Sequence, residues 1–357
     1  MNTFIIAEAG VNHNGDLGLA LKLVDAAAKA GADAVKFQTF KTDKLAMASA
    51  GMARYQKENT GQDVAQVDML RRLELAPEDH VELIKRCEEQ GIEFLSTPFD
   101  NYSAHFLCEK LGLKTIKIPS GELTNAPFLY IIASYGVNII LSTGMADMEE
   151  IREALDVLAY GLLGRGTPEN FTAVKGTSQT DEGKEVLAQK LTILHCTTEY
   201  PAPLDTINLK AMDTLADAFG VPVGLSDHSE GIAVPIAAVA RGAVLVEKHM
   251  TLDRLMEGPD HKASIEPDEL MSMVDGIRAV EIALGTGVKK PFSQEIENRA
   301  IVRKGLFAAR DIAVGETFGA DDLIARRPEH GASPMRFWDL IGTDAVRAFK
   351  QGEPIDQ

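Results

Sequence analysis

Gly220-Val-Pro-Val-Gly-Leu-Ser-Asp-His228 and, one helical stretch later, Gly242-Ala-Val-Leu-Val-Glu-Lys-His249 are the segments whose reading decides the fold. Each opens on a glycine placed where a helix needs a left-handed cap, runs through a few apolar residues and ends in charged or polar side chains. The pattern recurs upstream at Phe4-Ile-Ile-Ala-Glu8, Ala34-Val-Lys-Phe-Gln38, Glu93-Phe-Leu-Ser-Thr97, Thr115-Ile-Lys-Ile-Pro119, Asn138-Ile-Ile-Leu-Ser142 and Leu191-Thr-Ile-Leu-His195. Amphipathic stretches such as Leu19 to Ala30, Asp79 to Gln90 and Glu149 to Leu158 lie between these runs. Eight strands alternating with helices can close into a parallel (β/α)8, or TIM, barrel or open into a doubly wound sheet. The count of eight and the polar end on almost every strand favour the barrel, where those ends ring one mouth. An open sheet would gather them near one switch point instead.

The pattern predicts a barrel over residues 1–285, interrupted at about 164–188 by a Gly-, Thr- and Ser-rich insertion that reads as a mobile surface excursion. From about Lys289 the text changes to short runs and turns, as in Gly305-Leu-Phe-Ala-Ala309, Asp311-Ile-Ala-Val-Gly-Glu316 and Leu323-Ile-Ala-Arg-Arg-Pro328. A linker over 286–298 and a small domain of short strands over 299–357 are expected.

Composition narrows the partners. Lys and Arg number 36 against 53 Asp and Glu, a formal net charge of -17 that repels nucleic acid and anionic membranes. An anionic substrate would need basic side chains gathered locally against that field. Cys87, Cys108 and Cys196 form no CxxC pair, which fits a reducing cytosol. No basic, cleavable leader is evident, and the longest apolar stretch, Ile232 to Val246, is broken by Pro235 and Arg241. A cytoplasmic protein is expected.

Chemistry concentrates on the strand tips. Neighbouring strands lie about 4.8 Å apart, so His228 and His249 on the last two tips can reach one divalent ion. Barrel closure brings strand 8 beside strand 1, placing Glu8 and Glu247 near the same point. Two imidazoles with carboxylates close by suit a first-row ion with open positions. The alternative is that both histidines are hydrogen-bonded mouth residues without a metal. Lys36 and Gln38 share one face of strand 2, and Lys117, Ser120 and Glu122 mark the end of strand 4. Lysines aimed into a mouth are costly unless an anion meets them, so this set reads either as a phosphate or carboxylate cradle or as lysines each paired with a nearby Glu. Ser226 shares a face with His228, whereas Lys248 has the opposite parity and reads as a packing or salt-bridge residue. Asp260, in the polar loop Glu257 to Lys262, could accept sugar hydroxyls or simply belong to a Gly-Pro-Asp turn, and Tyr200 could wall a cavity or serve aromatic packing.

Six stretches resemble the N-acetylneuraminate (sialic acid) synthase family, which includes the legionaminic acid synthases. They are Ile6-Ala-Glu-Ala-Gly-Val-Asn-His-Asn-Gly15, Val35-Lys-Phe-Gln-Thr39, Lys117-Ile-Pro-Ser-Gly-Glu122, His195-Cys-Thr-Thr-Glu-Tyr-Pro201, Leu225-Ser-Asp-His228 and Glu247-Lys-His-Met250. The tail is similar to that family's antifreeze-like (SAF) domain. The resemblance implies a transferase that condenses phosphoenolpyruvate with an N-acyl amino sugar, N-acetylmannosamine in the main reading. The alternative acceptor is 2,4-diacetamido-2,4,6-trideoxymannose, the precursor of legionaminic acid. It further implies that His228 and His249 hold Mn2+, or another ion such as Mg2+ or Co2+, and that Lys36, Lys117, Ser120, Ser226 and Thr198 hold phosphoenolpyruvate. Thr198 stands where other members carry Asn. Gln38, Glu122, Tyr200 and Asp260 would hold the sugar, and Glu8 and Glu247 would handle protons. Arg327 would reach the N-acyl group across a domain-swapped homodimer. Two distant readings remain, a metal-dependent sugar isomerase or aldolase barrel and a non-catalytic carbohydrate- or ice-binding protein.

Overall fold

The computed structural model describes residues 2–45, 47 and 65–357. It divides into two compact units, Met1–Gly285 and Thr286–Gln357. In the first, eight strands run parallel: β1 Phe4–Gly10, β2 Ala34–Thr39, β3 Glu93–Pro98, β4 Thr115–Ile118, β5 Asn138–Ser142, β6 Leu191–Cys196, β7 Val223–Asp227 and β8 Leu245–His249. Their spatial order is β3-β2-β1-β8-β7-β6-β5-β4, so the first and last strands pair directly, with Glu8 opposite His249. The two ends of that order, β3 and β4, lie in contact, which makes the sheet a nearly closed barrel.

Alternation along the strands sorts their side chains into two environments. Ile5, Ala7, Ala9, Val35 and Phe37 join the large core between barrel and helices. Residues of opposite parity enter the lumen, where Ile6, Ala34, Leu95, Ile140, Leu194 and Leu245 form a separate apolar plug. Gly224 belongs to this layer for a steric reason. A Cβ there would stand 2.3 Å from the Leu245 carbonyl oxygen and 2.8 Å from Leu194 Cδ2, so only glycine lets the strands approach.

The surrounding helices have local causes. Asp16 caps helix Leu17–Lys29 by accepting from the Leu19 N–H at 2.8 Å. Asp147 and Glu150 form a reciprocal box at the start of helix Met148–Leu162. The expected mobile excursion proves to be built in. It carries helices Phe171–Val174 and Asp181–Lys190, with Val174, Thr177 and Leu187 buried. The buried Asp156 carboxylate accepts the Gly176 and Ser178 N–H groups at 2.7 and 2.8 Å, an anchor that composition does not reveal.

In the second unit, helix Ser293–Val302 overlaps the end of the expected linker and buries none of its residues within the unit. Beyond it, β9 Gly305–Ala308 pairs antiparallel with β10 Leu323–Arg326. Single bridges, Ile312 with Phe349 and Thr317 with Asp344, tie the turns together around Leu306, Phe318, Leu340 and Ile355. No helix among the described residues is long and apolar enough to cross a membrane.

Candidate active site

Above the apolar plug the lumen turns polar and opens into a cavity of about 350 Å3. Its floor is an alternating lattice of charge. Lys36 Nζ lies 2.5 Å from Glu8 Oε2 and 3.6 Å from Glu247 Oε2, and Lys117 Nζ lies 3.0 Å from Glu247 Oε1. Lys36 also donates to Thr97 Oγ1 at 2.9 Å, and Ser226 Oγ donates to Glu247 Oε1 at 3.0 Å. All four charged side chains are buried. Two ammonium groups and two carboxylates balance each other there, which makes the desolvation bearable.

The two carboxylates are nonetheless unlike. Burial pushes Glu8 up to about 7, against the pull of Lys36. Burial acts on Glu247 in the same direction, but Lys117 and Lys36 together outweigh it and hold this carboxyl well below the usual range. Glu247 is thus a fixed anion, while Glu8 titrates near neutrality, where proton transfer is most useful. Lys36 remains charged: burial alone would lower it, but Glu247 and Glu8 raise it.

The histidines stand side by side at the rim of this floor. Their ring centroids are 5.6 Å apart, and the Tyr200 ring lies 4.1 Å from His228 and 5.7 Å from His249. His228 Nδ1 donates to the Thr197 carbonyl at 2.7 Å, which leaves the Nε2 lone pair available. Burial pulls His228 down to about 4 and His249 well below its usual value, so both rings are neutral and able to ligate. His249 Nδ1 is buried without a hydrogen-bond partner among the described residues. These donors fit a divalent ion at an open site. Among the described residues no group of three or more His, Cys, Asp or Glu side chains is placed to hold a metal ion.

A third feature is a hydroxyl corner on the β4–β7 side. Ser120 Oγ accepts from the Gly144 N–H at 3.0 Å and lies 3.2 Å from Cys196 Sγ. A Cβ on Gly144 would come within 2.2 Å of Thr198 Oγ1, so glycine is what lets that hydroxyl sit in the corner. Ser142 Oγ and Thr198 Oγ1 are buried without hydrogen-bond partners among the described residues. With Lys117 lining the same cavity, these hydroxyls have donors to offer an anion.

The chain matches the NeuB family over residues 23–289 and the SAF domain over 303–357. The chain belongs to the NeuB family. It is 48% identical to the N,N'-diacetyllegionaminic acid synthase of Campylobacter jejuni, over 99% of this chain and 98% of that one. Identity to the Legionella pneumophila enzyme of the same name is 46%, over 96% and 90% of the two chains. Among solved structures, the N-acetylneuraminic acid synthetase of Leptospira borgpetersenii in complex with citrate matches with a TM-score of 0.65. Its identity is 33%, over 84% of this chain and 90% of that one. As a NeuB-family member the chain is an enzyme, a transferase that forms a carbon–carbon bond using phosphoenolpyruvate.

Within this NeuB-family barrel, Glu8, Lys36, Gln38, Lys117, Ser120, Thr198, Tyr200, Ser226, His228, Glu247, His249 and Asp260 all line one cavity. Glu122 does not line it; the short turn Ser120–Glu122 directs its carboxylate to Asn125 Nδ2 at 2.6 Å. Arg327 belongs to the second unit, one residue past β10, where it borders a hollow with Phe307, Ile324 and Gln351. Lys248 pairs outside the lumen with Asp227 at 2.6 Å and the Ser229 carbonyl at 2.5 Å, in keeping with its parity. Sequence reasoning passed over Ser142 and Thr97, which also line the cavity. Both end a quoted strand run with lumen parity, the signal that had singled out Ser226.

Proposed function

We propose that this chain condenses phosphoenolpyruvate with 2,4-diacetamido-2,4,6-trideoxymannose and water, giving N,N'-diacetyllegionaminate and phosphate. The observation that carries this reading is the near full-length identity of 48% to a synthase of that name. The relatives thus favour the alternative acceptor over N-acetylmannosamine. The second reading, N-acetylneuraminate synthesis, keeps the support of the Leptospira structure at 33% identity.

In the mechanism we infer, Lys36, Lys117, Ser120, Ser226 and Thr198 hold phosphoenolpyruvate, and Ser142 joins them as a donor. Gln38, Tyr200 and Asp260 hold the open-chain sugar; Glu122, facing Asn125, has the weakest claim to a sugar contact. His228 and His249 would hold a divalent ion such as Mn2+, which when bound supplies Lewis-acid polarisation to the aldehyde. C3 of phosphoenolpyruvate forms a bond to the aldehyde carbon, and positive character develops at C2. The fixed anion Glu247 faces that charge. Glu8 takes a proton from the water that adds at C2, and the tetrahedral intermediate expels phosphate by C–O cleavage as its new C2 hydroxyl becomes the carbonyl; the water's two protons end on the former aldehyde oxygen and on the phosphate. Glu8 is suited to this step because burial has brought it to about 7. Arg327 would act on the partner subunit's sugar in a domain-swapped dimer, and the cytoplasm is the expected compartment.

The test is phosphate release from phosphoenolpyruvate with each sugar in turn. The diacetamido sugar should give kcat/KM at least about tenfold above N-acetylmannosamine, in line with the discrimination a few changed groups provide. Chelation should abolish turnover and Mn2+ restore it, and in heavy-oxygen water the released phosphate should stay unlabelled. Turnover of N-acetylmannosamine alone would overturn the substrate assignment.

A further inference from the structure

The cavity has two chemically unlike sides, and strand order divides them. Residues continuing β4 to β7, namely Ser120, Ser142, Thr198 and Ser226, supply hydroxyls beside Lys117. On the β1 to β3 side Gln38 and Thr97 bring polar groups at the strand ends, and the residues beyond them supply hydrocarbon. Val11 follows Glu8 by three positions, Phe40 follows Gln38 by two, and Phe99 follows Thr97 by two, so they form the next layer above the charged floor. Helix Gln66–Leu73 completes this side. Gln66, Met69, Leu70 and Leu73 stand at i, i+3, i+4 and i+7, a single helical face, and all four line the cavity. Val11, Phe40, Met69 and Leu73 are buried and pack as one apolar cluster distinct from the barrel core. The Phe40 and Phe99 rings meet edge to face at 6.3 Å.

On that wall, Val11, Phe40, Met69 and Leu73 offer a phosphate or carboxylate no donor in exchange for its lost water, so phosphoenolpyruvate belongs on the hydroxyl side. The wall is left to the acceptor. The aldehyde end must lie by the floor, where the bond forms, and the far end of the six-carbon chain then meets the hydrocarbon layer above it. On the diacetamido acceptor that end is a C6 methyl group, whereas a 6-hydroxy sugar would bring an O–H that the hydrocarbon of Val11, Phe40, Met69 and Leu73 cannot bond.

We propose that the wall formed by Val11, Phe40, Met69 and Leu73 receives the C6 end of the acceptor and selects a 6-deoxy sugar over its 6-hydroxy counterpart. This assignment rests on the diacetamido sugar being the acceptor. Val11 and Met69 are therefore specificity-determining residues. An apolar site rejects an added hydroxyl by roughly 10–100-fold, because that group must be buried without a partner.

The experiment compares two acceptors identical except at C6, 2,4-diacetamido-2,4,6-trideoxymannose and 2,4-diacetamido-2,4-dideoxymannose. It follows phosphate release by the full-length protein with Mn2+. The wild type should prefer the 6-deoxy sugar by roughly 10–100-fold in kcat/KM. Val11→Thr and Met69→Gln, each close in size to the residue replaced, should shrink that ratio at least about fivefold, chiefly through the sugar's KM. Met69→Leu should keep the ratio, and KM for phosphoenolpyruvate should stay unchanged in all three. Melting temperatures identify any variant that fails to fold, and the wild-type ratio decides the matter without it. A wild-type ratio near one, or a ratio that survives both polar substitutions in folded protein, overturns the assignment of the wall alone. Turnover of N-acetylmannosamine with neither diacetamido sugar accepted sinks the acceptor assignment and the wall with it.

Discussion

Ile6 and Glu8, Ala34 and Lys36, and Leu245 and Glu247 stand two positions apart on their strands. All six side chains are buried in one lumen. The lower members belong to an apolar plug, and each fully buried large hydrocarbon side chain there contributes about 1.5–3 kcal/mol to folding. The upper members form a charge lattice that holds together only because each ammonium meets a carboxylate. One layer stabilises the barrel, and the other is a cost the barrel carries for the sake of chemistry. The same strands thus serve both ends, and a substitution's consequence should depend on its layer more than on its size.

The sharpest way to break this contrast is Glu8→Gln. It preserves shape and removes the carboxyl that burial holds at about 7. Turnover should fall by roughly 10²–10⁴-fold, the usual share of a general base, while phosphoenolpyruvate still protects the protein in a thermal shift assay. Normal turnover in this variant would remove Glu8 from the mechanism. Leu194→Ala addresses the layer below. Leu194 is fully buried in the plug, so its truncation should cost about 2–5 kcal/mol in a denaturant titration. At temperatures where the variant stays folded, kcat/KM should remain within about threefold of wild type, since the plug contacts no substrate. Large losses in both measurements would show that the two layers act as one.

Much of this organisation is legible in the sequence because a strand's period is two. Parity alone put Ser226 with His228 and Glu247 with His249 on the inner face and set Lys248 outside it, where it meets Asp227. Barrel closure followed from counting strands, and with it the approach of Glu8 to His249. What escaped depends on contacts that spacing does not encode. Glu122 leaves the strand through a short turn, which rotates its carboxylate toward Asn125. The 164–188 insertion looked mobile from composition, yet a single buried carboxylate, Asp156, satisfies its amides. The difference in acidity between Glu8 and Glu247 needed the distances of two lysines. The apolar wall was hidden because half of it lies on a helix far from any motif.

Ser142→Ala tests the smallest effect and the finest version of the same comparison. The residue ends β5 with lumen parity, two positions above Ile140 of the plug, and its hydroxyl is buried with no partner among the described residues. An unmade hydrogen bond stabilises nothing, so removing the hydroxyl should leave the melting temperature unchanged or slightly raised. If the hydroxyl waits for the anion held by Lys117 and Ser120, KM for phosphoenolpyruvate should rise by about 5–10-fold, with KM for the sugar unchanged. A variant that loses stability instead, with both KM values intact, would place Ser142 with the plug below it. The boundary between the two layers would then run above β5's last residue on that side of the barrel, and not below it.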